Sequence, residues 1–143
     1  MKFLVALYGS QYYEIHQKGK DGNKGRMNGN LFLAALIVLF LLAILLLSIS
    51  FIPGFETKLN SSTRSSFGLL SGKSTGRLIA IPLFAVLYFV LNFTVGSKEN
   101  FTSSVAAFMQ SPEEEKKKAT KKIMIPFFIL GIIVFGLAMM KAF

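Results

Sequence analysis

Twenty-two consecutive residues, 31–52 (LFLAALIVLFLLAILLLSISFI), contain no charge, no Gly and no Pro, and only Ser48 and Ser50 bring polar side chains. Coiled as a helix at about 1.5 Å per residue, such a run reaches roughly 33 Å, enough to cross the hydrocarbon core of a bilayer. It is too long and too evenly apolar to serve as one buried helix of a small soluble domain. The remainder of the chain is therefore read around a membrane.

Two further stretches fit that setting. Residues 78–95 (LIAIPLFAVLYFVLNFTV) are uncharged, with Pro82 close to the start and Asn92 and Thr94 near the end. Pro near a helix start is tolerated because the N–H it lacks has no partner there. Residues 123–140 form the third apolar stretch, entered from a lysine-rich segment. The 143-residue chain is 52% hydrophobic and 16% charged, with a mean hydropathy of +0.55, which suits a small polytopic membrane protein. The absence of Cys excludes disulfides, thiolate catalysis and Cys-ligated metal. The net charge of +9 lies beside the apolar spans, so anionic lipid headgroups, and not nucleic acid, are the expected partner of the basic residues.

Before the first span, residues 1–17 hold Leu4, Tyr8, Tyr12 and Ile15 at i, i+4, i+8 and i+11, one stripe on a helix. The apolar opening FLVALY is short for a signal peptide, and a retained amphipathic helix is predicted, lying in the interface or against a partner. Residues 18–30 (KGKDGNKGRMNGN) hold four Gly and three Asn and read as a linker, with Asn28 or Asn30 capping the first span. Residues 53–77, rich in Ser, Thr and Gly, read as a loop.

Between the second and third spans, residues 96–122 contain Phe101, Val105, Phe108 and Met109 at the spacing of one helical face, predicting a second short interfacial helix. Next comes a helix start with Ser111 as N-cap, Pro112 at the first helical position and Glu114 in the capping-box position. Glu113–Lys117 and Glu114–Lys118 are i,i+4 pairs. Pro126 predicts a kink in the third span. The fold class is thus an all-α membrane protein with three transmembrane helices and two interfacial ones.

With three crossings, the N-terminal segment and the second loop share a side and carry eleven Lys and Arg, against five in the first loop and the tail, residues 141–143. The positive-inside rule then puts the N-terminus in the cytoplasm and the C-terminus outside. A bacterial inner membrane is the expected location.

No Asp, Glu, Lys, Arg or His lies within the three apolar cores, where proton and ion pathways usually place one. Residues 68–75 (GLLSGKST) resemble a phosphate loop only superficially: three residues, not four, precede the Gly-Lys pair, and a membrane helix follows. Lys73 and Arg77 there, with Lys121 and Lys122 before the third span, read as headgroup anchors. His16, the single histidine, lacks the partners of a metal or catalytic set. No catalytic, cofactor-binding or metal residue is assigned, and no cofactor is expected. The leading expectation is a non-catalytic accessory subunit packing against other integral membrane subunits. Leu4, Tyr8, Tyr12, Ile15 and Asn92 are its candidate contacts. The alternatives are a small homo-oligomeric channel or transporter lined by Tyr88, Asn92 and Thr94, and, more weakly, a lipid-modifying membrane enzyme.

Overall fold

The computed structural model describes residues 1–59, 61 and 75–142, and among these every regular element is helical. The elements are α1 (Phe3–Gln17), α2 (Lys24–Phe51), α3 (Thr75–Phe93), α4 (Lys98–Gln110) and α5 (Glu113–Ala142). Two of them, α2 and the Glu113–Met140 part of α5, are long and apolar enough to cross a membrane. The second expected crossing, at residues 78–95, falls on a bent pair. Ala80–Phe93 and Lys98–Gln110 meet at 69° across residues 94–97, and together they count as one further candidate span.

α1 ends where its sequence says it should. Gly19 takes a left-handed φ of 69°. Its N–H donates to the His16 carbonyl, and the Lys20 N–H donates to the Ile15 carbonyl. This 5→2 and 6→1 pairing is a Schellman motif, which a residue bearing Cβ closes less easily.

The linker expected at residues 18–30 is shorter than predicted, because α2 begins at Lys24 and includes the Gly- and Asn-rich residues 25–30. Neither Asn28 nor Asn30 is a cap; both lie inside the helix. The entry is a tight turn, with Lys24, Gly25 and Arg26 N–H groups donating to the carbonyls of Asp21, Gly22 and Asn23. Tertiary packing overrides the poor helix propensity. A Cβ built on Gly25 would stand 2.9 Å from the Tyr12 backbone nitrogen, so only Gly lets α2 lie this close to α1. Gly25 and Gly29 are four apart, on one face, and both are buried. This is the small-xxx-small spacing that brings helix backbones together.

α1 packs against α2, α4 and α5 at once. Ala6, Leu7 and Tyr8, the last of them an expected partner contact, are fully buried in the chain's own core. The reason lies in the opening residues FLVALY: a helix apolar all round, and not on one stripe only, is buried from several sides. α4 supplies the opposite wall through Phe101 and Phe108, both buried, while Met109 of the same expected face is exposed. Tyr8 meets the Phe101 ring edge-on, with centroids 5.6 Å apart.

The start of α5 also differs from expectation. Ser111 is the C-cap of α4, and its hydroxyl donates to the Ala107 carbonyl at 2.9 Å instead of capping α5. The Pro112 carbonyl accepts the first α5 bonds, from Glu115 and Lys116. Glu113 pairs with Lys116 at i,i+3 (3.2 Å), not with Lys117. The helix runs on through Pro126 without a break in its assignment.

The core sits at one end of the molecule. Leu33 and Ala34 of α2, Leu91 of α3, and Ala119 and Ile123 of α5 close around α1 and α4. Away from that end the spans are bare: Phe51 is 76% exposed, Ile132 72% and Met140 75%.

Candidate functional site

Among the described residues the one buried side chain of polar type is Asn30, which has no exposed surface. Its Oδ1 accepts a hydrogen bond from the Tyr8 hydroxyl at 2.7 Å. Its Nδ2 donates to Asn92 Oδ1 and to the Gly96 carbonyl, each at 3.3 Å. One side chain of α2 thus ties together α1, the end of α3 and the turn into α4. Both hydrogens and the oxygen of the Asn30 amide are used. Such full satisfaction is what makes a buried amide tolerable, since an unpaired polar group in a low-dielectric core costs about 1–3 kcal/mol.

The local backbone makes room for this node. Residues 94–96 turn the chain after α3, and the Gly96 N–H donates to the Leu91 carbonyl at 2.7 Å. A Cβ on Gly96 would sit 1.8 Å from Asn30 Oδ1, so the amide can reach the turn only because Gly stands there. Ser97 then caps α4 by accepting from the Asn100 N–H.

Burial pushes the Tyr8 hydroxyl up to about 12, against a smaller opposing pull from the Arg26 guanidinium. The phenol is therefore neutral at physiological pH, and its proton is committed to Asn30. A folded-state value above the unfolded one of 10.0 means that the node's contribution is fully present below pH 10 and is lost as pH rises toward 12. Alkaline unfolding should accordingly steepen between pH 10 and 12. Tyr8→Phe should remove that component, measured as the difference between the two proteins' stability curves.

The other residues singled out by the sequence are distributed as follows. Leu4 is half-buried beside the core, Tyr12 and Ile15 are half-buried on α1, and Tyr12 stacks on His16 with centroids 5.6 Å apart. Asn92, an expected partner contact, joins the node through a part-buried bond from Asn30. The Thr94 hydroxyl donates back to the Val90 carbonyl at 2.7 Å. Lys122, an expected headgroup anchor, donates to the carbonyl of Met1, two residues before α1; Lys121 is exposed. Lys73 and the Arg77 side chain lie outside the described residues.

The sequence singled out Asn30 only as a cap of the first span, and Gly96 not at all. A signal for the first existed: Gly25 and Gly29 continue the helical phase of the span backward by more than one turn, which places Asn30 inside a helix.

Chemically, the node is a set of neutral donors and acceptors that satisfy one another, and it fastens three helices. Among the described residues no group of three or more His, Cys, Asp or Glu is arranged to hold a metal ion. No protein-family model matches this chain, and no characterised protein or solved structure is significantly similar to it.

Proposed function

We propose that this protein is a non-catalytic accessory subunit of a larger integral membrane complex. One observation carries the reading: among the described residues the chain packs itself at one end and leaves much of the length of its spans open. Of the most apolar window of each, 17% is buried in α2 and 11% in α5. Down α5, Ile125, Ile129, Ile132 and Met139 are exposed at i, i+4, i+7 and i+14, the seam spacing of a helix that packs on another. Gly136 lies on the same seam, and a Cβ there would meet nothing within 4 Å. A neighbouring helix could approach closely at such a point.

Two of the three polar side chains of the pathway alternative are already engaged. Asn92 is bonded to Asn30, and the Thr94 hydroxyl to its own helix. This favours the subunit over a homo-oligomeric channel lined by those residues. The proposed location is a bacterial inner membrane with the N-terminus and α4 on the cytoplasmic side, supported by the eleven-to-five distribution of basic residues.

Gentle solubilisation from native membranes tests the assignment. One or more integral membrane chains should co-purify in fixed stoichiometry. Migration of the protein by itself, with no co-purifying chain, would overturn it.

A further inference from the structure

A groove runs between the first turn of α1 and the outer face of α4, with a volume of about 590 Å³. That lies within the roughly 300–1,000 Å³ of ordinary small-molecule sites. Both walls mix apolar and polar groups: Lys2, Phe3 and Leu4 line it from the start of α1, and Ser103, Ser104 and Ala107 from α4. Ser111, also at the groove, spends its hydroxyl on the Ala107 carbonyl. The hydroxyls of Ser103 and Ser104 make no hydrogen bond to any described residue, which leaves two free donors in a groove that Lys2 also lines.

The height of the groove is fixed by α5. Lys122, the last charged residue before the apolar run that begins at Ile123, bonds the Met1 carbonyl at the groove's end. Lys118 lies one turn earlier on the same helix face. The groove therefore opens where a basic surface gives way to an apolar span, the level of lipid headgroups. The Glu115 carboxylate on that face is 3.4 Å from the Met1 nitrogen, so its charge is turned toward the chain's own backbone end.

We propose that this groove is a binding site for an anionic phospholipid. Lys2, Ser103 and Ser104 hold the phosphate, and Phe3, Leu4 and Ala107 receive the upper part of an acyl chain. The groove offers both polar and apolar lining, as the two halves of that ligand require. A soluble anion would use only the first.

The purified full chain, stripped of lipid in neutral detergent, can be offered phosphatidylglycerol or phosphatidylcholine and followed by native mass spectrometry. Phosphatidylglycerol should be retained in preference. Lys2→Gln should weaken its retention about fivefold, the effect of one basic residue at a membrane surface. The double variant Ser103→Ala, Ser104→Ala and the groove-filling Ala107→Phe should each weaken it by at least a comparable factor. Lys20→Gln, which changes the same charge in the exposed turn after α1, should leave it unchanged. Equal retention of the two lipids would overturn the proposal. So would insensitivity to both the serine and the Ala107 changes, an equal effect of Lys20→Gln, or displacement by millimolar inorganic phosphate. The serine variant guards against Ala107→Phe simply failing to fold, because Ala is at home in a helix. The assay needs no partner chain, so its outcome is independent of the co-purification test.

Discussion

Asn30→Leu should be the most destabilising single change in the buried head of this protein. The substitution keeps the side chain's approximate size and removes all three of its hydrogen bonds. It strands the Tyr8 hydroxyl, the Asn92 amide oxygen and the Gly96 carbonyl in a site with no exposed surface at residue 30. At about 1–3 kcal/mol per buried group left unpaired, the expected loss is about 3–5 kcal/mol. That is a large share of the roughly 5–15 kcal/mol that separates ordinary folded domains from their unfolded states. Tyr8→Phe removes one donor and leaves one acceptor unmet, so its expected cost is about 1–2 kcal/mol. Denaturation in mixed micelles, followed by circular dichroism, gives both values. The double variant should be less destabilised than the sum, because Tyr8 has nothing left to lose once Asn30 is gone. Strict additivity would show that the two residues do not act as one node.

Gly9→Ala comes second, and its expected effect is nearly as large for the addition of one methyl group. A Cβ at residue 9 would lie 2.1 Å from Phe108 Cγ and 2.2 Å from Phe108 Cβ. Those atoms are the root of the Phe side chain, not its tip, so a rotamer change does not clear the clash. α1 and α4 must separate, at the cost of overpacking a dense core, about 1–3 kcal/mol or more. The gain in helix propensity from Gly to Ala, about 1 kcal/mol, offsets only part of this. Gly136→Ala is the matched control: it makes the same chemical change in a helix where nothing lies within 4 Å. It should be neutral or slightly stabilising. Hydrogen exchange in α4 should rise in Gly9→Ala and stay as in the parent protein in Gly136→Ala. Equal behaviour of the two would mean that α1 and α4 are not in close contact.

Both expectations concern the same small region, and that region decides what the protein can do. The Tyr8–Asn30–Asn92–Gly96 node and the Gly9–Phe108 contact hold α1 and α4 against the ends of α2, α3 and α5. The free surface is then of two kinds. The bare length of the spans offers apolar helix faces, and the rim of the head offers the groove at Lys2, Ser103 and Ser104. The proposals of a subunit role and of a bound anionic lipid draw on these two surfaces separately.

What the sequence by itself determined was everything that depends on local composition. An uninterrupted apolar run has one stable answer in a chain this small, a helix in lipid, because every backbone group must be satisfied within the segment. The existence of α2, of the apolar part of α5 and of the short α4 with its Phe101–Phe108 face followed from such patterns. The end of α1 at Gly19 is equally local, since its bonds lie within a few residues of one another.

Only the tertiary structure decided the meaning of residues 18–30. Read alone, their Gly and Asn signal a break in helix, because Gly gives up the most backbone entropy and Asn competes for backbone bonds. Once α1 lies across α2, the missing side chains at Gly25 and Gly29 become the means of close approach, and Asn30 becomes buried. The partners of Asn30 stand 22, 62 and 66 residues away, at Tyr8, Asn92 and Gly96. No window of sequence contains them together. The first apolar span remains the feature that commits the chain to a membrane, but what fastens its start to the rest of the protein is a polar side chain one residue before it begins.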